Sequence, residues 1–248
     1  MTTPVTRAAG VDARSARSLR SQDRWFYSGM ALAIGVTVFA GFAPTYYLRP
    51  YYHPEPLRPL LHLHGIVFTA WILLLVAQTG LVTAGRTDLH RRLGLAAFGL
   101  VPLMVVVGAT TAIVRAKEGF SPPGGPPPLV FLVIPFFDIV VFGTLAGAAI
   151  RLRRRPEAHK RLMLLATIAL LAAPIARLSL QVLRYGPPAF FGLADLFVVA
   201  CLVYDMVSRR RVQPATAWGA ALVVASQPFR LWLGGTTAWL TFASWITR

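Results

Sequence analysis

Acidic residues are scarce in this chain: nine Asp and Glu stand against 25 Lys and Arg, giving a formal net charge of +16. Lysine is scarcer, with only Lys117 and Lys160, and Cys201 is the single cysteine. One thiol excludes an internal disulfide and a cysteine metal cluster, and leaves Cys201 a packing role. Lysines confined to loops exclude an intramembrane retinal Schiff base. A phosphate-binding loop, an HExxH motif and a GxSxG nucleophile are all missing, and no stretch reads as a soluble catalytic domain. The evenly spaced alternating strands of a membrane barrel are missing too.

Apolar sequence is what the chain has in excess. It is 56% hydrophobic, with mean hydropathy +0.59. Seven apolar stretches of about 20 residues, the length at which a helix crosses a bilayer core of roughly 30 Å, run over 25–48, 60–84, 93–115, 128–150, 161–184, 189–208 and 216–246. This pattern predicts an all-α polytopic membrane protein. Residues 25–248 form a bundle of seven transmembrane helices behind a disordered cytoplasmic leader, 1–24.

The basic residues give the orientation. Arg7, Arg14, Arg17, Arg20 and Arg24 fall on one side with Arg86, Arg91, Arg92, Arg151, Arg153, Arg154, Arg155, Lys160, Arg161, Arg209, Arg210 and Arg211. The opposite side carries Arg49, Arg58, Arg115, Lys117, Arg184 and Arg248. By the positive-inside rule the N-terminus is expected in the cytoplasm and the C-terminus outside, which suits a bacterial inner membrane. Charges scattered through short loops offer no basic fold to nucleic acid, so the bilayer is the expected partner.

Polar groups inside the spans need partners or a wet cavity, since each ionisable one costs at least about 2.5–3.5 kcal/mol on insertion scales. Asp138, Arg177, Gln181, Asp195 and Arg230 all fall there. Arg177, Gln181 and Arg184 at i, i+4 and i+7 predict a polar stripe on the fifth helix; Ser226, Gln227, Arg230, Thr237 and Thr241 predict another on the seventh. Such stripes point to a shared pocket, although pairs such as Asp138–Arg177 or Asp195–Arg177 would equally lock helices together. Pro174 and Pro228 precede the two arginines by three and two residues, so a kink is expected beside each.

The stretch "LLHLHG", Leu60 to Gly65, places His62 and His64 about 160° apart on a helix, so they cannot chelate one ion together. His64 shares a seven-residue stripe with Trp71 and Gln78 and is assigned inward; His62 is assigned to the headgroups. The loop "SPPGGPPP", 121–128, is stiff where proline dominates and would cover an outward-facing cavity. His90 and His159 belong to the other face. They sit in matching phrases, "LHRRLGLAAFGL" at 89–100 and "AHKRLMLLATIAL" at 158–170, which suggest related third and fifth helices. Either they are interfacial side chains or they form a pair of imidazole ligands or a proton relay. Gly143 and Gly147 would allow close helix packing within one chain or between chains.

Together "HLHG", "GRTDLHRRLG" and "HKRLML" resemble poorly characterised bacterial multi-pass membrane families. They look distantly like haem-bearing cytochrome b and ferric-reductase-type bundles, over the second to fifth spans. The resemblance implies histidines at matching depth on neighbouring helices as axial ligands of haem b, with His64, His90 and His159 as candidate haem or metal ligands. An outer haem would need His53 or His62 beside His64; an inner one would use His90 and His159. Two functions are expected from these residues. One is a membrane redox protein, or an accessory subunit of a membrane redox complex, with Arg177 or Arg230 balancing propionate or quinone oxygens. The other is a transporter or binding protein for an anionic or amphiphilic ligand, with a pocket lined by Asp138, Gln181, Asp195, Gln227, Trp71 and Gln78.

Overall fold

The computed structural model describes residues 4–52 and 55–248, and side chains from residue 21 onward within those ranges. Every element among the described residues is helical. α1 (Pro4–Phe42) continues through a π-helical turn (Ala43–Tyr47) into α2 (Arg49–Tyr52). α3 is Pro59–Thr83, α4 the short helix Thr87–Leu93, and α5 Leu95–Lys117. α6 (Pro128–Phe131) leads into α7 (Val133–Arg151), followed by α8 (Pro156–Ile168) and α9 (Ala172–Ile175). A 3-10 turn (Gln181–Tyr185) precedes α10 (Pro187–Arg209), α11 (Pro214–Gly234) and α12 (Thr237–Ile246). Proline opens α3, α6, α8, α10 and α11. There its fixed φ suits the first turn and its missing N–H has no helical partner to lose.

Six helical stretches are long and apolar enough to cross a membrane: Ser21–Tyr47, Pro59–Thr83, Thr87–Lys117, Pro128–Arg151, Pro156–Ile175 and Pro187–Arg209. The protein is thus a helical membrane protein. The fifth stretch ends nine residues short of the expected 184. Pro174 cannot donate to the carbonyl four residues back, and the chain tightens there: Leu170 N bonds Thr167 O at 3.1 Å and Leu171 N bonds Ile168 O at 2.9 Å. Arg177, Gln181 and Arg184 therefore do not form a helical stripe, which corrects the sequence expectation. The seventh stretch is two helices rather than one. Thr236 ends the continuity, its Oγ1 accepting from Trp239 N at 3.2 Å as the cap of α12. By contrast α11 runs on through Pro228 without a break.

At the centre, α7 packs against α5, α8 and α11. Phe142, Ala146 and Ala149 of α7 are fully buried with Leu165 of α8 and Met104 of α5. Hydrocarbon outside is as apolar as the core inside, so contact and close approach hold these helices together. Small residues supply that approach: a Cβ on Gly143 would stand 3.1 Å from Val105 Cγ2, which places this glycine within the chain's own α5–α7 contact. Nothing lies within 4 Å of the same position on Gly147.

Contacts at the helix ends define two poles. At one, Gln213 N at the start of α11 donates to Asp205 Oδ2 at 3.1 Å. At the other, Gly234 at the end of α11 lies against Val130, and Trp239 Nε1 of α12 donates to Leu129 O at 2.8 Å. Lys117 Nζ, at the end of α5, donates to Arg248 O at 2.5 Å, so the last residue lies at this second pole.

Candidate functional site

Three of the four charged residues expected within the spans, Asp138, Asp195 and Arg230, meet at α11. Arg230 is 2% exposed and ion-paired with Asp138 of α7. Its Nη2 donates to Ser226 Oγ at 2.7 Å, its Nε to Ser226 O at 3.2 Å and its Nη1 to Ile134 O at 3.4 Å. The guanidinium also lies 5.2 Å from the Phe191 ring centre. One turn earlier, Gln227 Nε2 donates to Asp195 Oδ1 of α10 at 2.7 Å. Four of the named polar residues thus form two adjacent pairs, with α11 as the bridge between α7 and α10. Arg177 has no part in them: neither proposed carboxylate pairs with it. Its Nη1 donates to Ala173 O at 2.6 Å and its guanidinium lies 4.8 Å from the Phe42 ring centre. Gln181 is exposed on the 3-10 turn, away from any buried pocket.

On α3, Trp71 is buried, donates through Nε1 to Thr167 Oγ1 at 3.1 Å and meets Phe142 edge to face at 5.1 Å. It is a core side chain. His64 and Gln78, one heptad either side, are half-buried, and each keeps a buried atom without a hydrogen-bond partner, Nδ1 and Oε1 respectively. His64 stacks on Phe68 with ring centres 4.1 Å apart. His62 is exposed. His53, the other candidate partner of His64, lies outside the described residues. The loop 121–128 closes on itself, Ser121 Oγ donating to Pro126 O at 2.5 Å.

His90 of α4 and His159 of α8 come together, with ring centres 6.5 Å apart and planes at 81°. His159 Nδ1 is 2.9 Å from Ala149 O, which makes Nδ1–H the donor and leaves Nε2 as the free nitrogen. His90 Nδ1 is buried without a partner. Gln78 reaches the same place, its Nε2 lying 3.5 Å from where a Cβ on Gly94 would stand. Imidazole nitrogens bind metals at about 2.0–2.1 Å, so two rings on one ion have centres roughly 5–6.5 Å apart. The observed separation stands at the upper end of that range, the value for two imidazoles on opposite sides of one ion. A backbone carbonyl accepting from the non-ligating nitrogen is also how metal-bound histidines are usually fixed. The donor chemistry fits an imidazole-bound transition metal or a haem iron. No third His, Cys, Asp or Glu joins the pair among the described residues.

A second cluster escaped the sequence reading. Arg161 and Asp205 are buried against each other, Nη2 to Oδ1 at 2.5 Å and Nε to Oδ2 at 3.2 Å. Thr216 Oγ1 adds a bond to Asp205 Oδ2 at 2.5 Å. Around them, Asp23 accepts from Lys160 (2.7 Å), Arg209 (2.8 Å) and Tyr204 (2.6 Å). Glu157 accepts from Lys160 (2.6 Å) and Arg161 (2.7 Å) and ion-pairs with Arg209 at 3.0 Å. Three acids and three bases from α1, α8 and α10 thus close one neutral network. The readable signal was the scarcity of acid: in a chain with nine, three near helix ends rich in arginine had to be partners for it.

Two cavities accompany these sites. One, lined by Tyr27, Arg161, Leu164, Leu165, Cys201 and Thr216, leaves no room for water. The other is an apolar groove of about 410 Å³ between α7 and α11, lined by Phe137, Val140, Thr144, Leu222, Ser226 and Phe229 among others. No protein-family model, curated protein or solved structure matches the chain.

Proposed function

We propose that this chain is an integral membrane redox protein, or an accessory subunit of a membrane redox complex, in a bacterial inner membrane. The observation that carries the reading is the His90–His159 pair, two near-perpendicular imidazoles 6.5 Å apart. His90 and His159 would hold a transition-metal ion or haem b, and the bound group would supply one-electron chemistry. The chain's own part is to orient His159 through Ala149 O, and to keep Gln78 and His90 in a half-buried site at one pole of the bundle.

The proposed topology has seven crossings, N-terminus cytoplasmic and C-terminus outside. It is supported by α11 starting beside Asp205 and by Arg248 lying beside Lys117, so that α11 and α12 together traverse the bundle. A second reading, a transporter or binding protein for an amphiphile, draws on the apolar groove, whose wall includes Ser226, the hydrogen-bond partner of Arg230.

Protein purified after expression with ample haem should show a Soret band or near-stoichiometric metal. His90→Ala and His159→Ala should each abolish it, and His62→Ala should leave it intact. A colourless, metal-free preparation would overturn the redox reading and leave the groove as the basis for function.

A further inference from the structure

Arg161, Arg209 and Arg230 each have a carboxylate partner, whereas Arg177 forms no ion pair among the described residues. Its side chain is exposed, two residues past the end of the fifth membrane-length stretch. One of its five N–H donors is used, on Ala173 O.

The surroundings of Arg177 are built to hold it there. A Cβ on Gly41 would fall 2.1 Å from Pro174 O, so α1 touches the broken helix backbone to backbone. The next residue, Phe42, offers its ring to the guanidinium. The chain then makes a π-helical turn, a rare conformation often found at functional sites. Tyr46 of that turn lies over Gly65, whose Cβ would fall 2.2 Å from the ring. Beside Gly65 is His64, with its buried, unpartnered Nδ1, so the turn that offers Phe42 to Arg177 also meets the start of α3 at this histidine's neighbour. Leu63 and Ile66 flank His64 in the chain, Leu180 and Val182 follow Arg177 by three and five residues, and all four are exposed. An unpaired guanidinium and an unmet imidazole nitrogen call for an anionic oxygen group. The apolar rim calls for one that carries hydrocarbon.

We propose that the π-turn after α1, the start of α3 and the break after α9 bind the anionic phosphate headgroup of a membrane lipid, with Arg177 and His64 as donors. The site is independent of the His90–His159 reading, and either can fail alone.

Delipidated full-length protein in neutral detergent, titrated with phosphatidylglycerol or phosphatidylcholine and followed by native mass spectrometry, tests it. The wild type should prefer the anionic lipid by about tenfold, the scale of one charge-assisted hydrogen bond. Arg177→Gln should lose that preference, and His64→Phe, which keeps the stack on Phe68, should weaken it. Arg177→Lys and Arg58→Gln should retain most of it, and unfolding temperatures check that each variant folds. Unchanged preference in Arg177→Gln overturns the site. Inorganic phosphate that binds as tightly and displaces the lipid makes it a site for a soluble anion, and overturns the lipid assignment.

Discussion

At the scale of single residues, the buried arginines are governed by what happens when one partner is removed. The Arg230–Asp138 pair lies inside a membrane-spanning bundle, where a charge without its partner has no water to turn to. Asp138→Asn keeps an acceptor beside the guanidinium but removes the charge that neutralises it, and should destabilise the fold by about 3–5 kcal/mol. The double change Asp138→Leu with Arg230→Met, which removes both charges, should recover most of that loss. Unfolding in a denaturing-detergent titration reads both, and wild-type stability in Asp138→Asn would show that the pair is not a stabilising unit. Sequence made these two residues conspicuous because an ionisable group in an apolar run stands out. It could not choose the partner: Asp138 was equally plausible beside Arg177, and the choice depends on which way α7 and α11 face. Asp205 and Glu157 were harder to notice, because acids close to arginine-rich helix ends resemble ordinary interfacial charge.

At the scale of elements, helix existence was legible and helix endings were not. Twenty apolar residues between basic loops announce a span, and a proline at the start fixes the first turn. Pro174 announced a disturbance, but not that the chain would leave the helix for good, which removed the stripe through Arg177, Gln181 and Arg184. What stabilises that break is the contact with Gly41, and it gives a sharp comparison. Gly41→Ala puts a methyl 2.1 Å from Pro174 O, a backbone atom that cannot swing away. It should cost about 1–3 kcal/mol, the usual scale of overpacking. Gly29→Ala, twelve residues earlier on the same helix and with nothing within 4 Å, should be neutral or slightly stabilising, since alanine favours helix by about 0.5–1 kcal/mol. Equal melting temperatures for the two variants would mean that α1 does not meet the break as closely as described. The approach of α4 to α8 was open to sequence only as one alternative, a His90–His159 pair on one face, because two loops on one side of a membrane have many ways to pass each other. The structure puts His90 against His159.

At the scale of the whole molecule, the open question is whether the last two helices make a seventh crossing. α11 falls outside the six membrane-length stretches, because Gln227, Pro228 and Arg230 lower its hydropathy and Thr236 divides it from α12. The contacts favour a crossing: α11 starts at the pole of the Asp205 network, and Arg248 ends beside Lys117 at the pole where Arg58 and Arg115 ion-pair with Glu118. In such a crossing the polar groups of α11 would be spent within the bundle, Arg230 on Asp138 and Gln227 on Asp195, before lipid could meet them. Site-directed labelling settles the point. Cys201 is buried, so a Cys201→Ala background should stay folded and present no thiol. In it, Pro126→Cys and Arg248→Cys should react with a membrane-impermeant maleimide on intact cells, whereas Arg211→Cys should react only after the membrane is opened. If Arg248→Cys follows Arg211→Cys, the chain crosses six times and α11–α12 lies along one face. If Arg211→Cys alone reacts on intact cells, the positive-inside assignment is reversed.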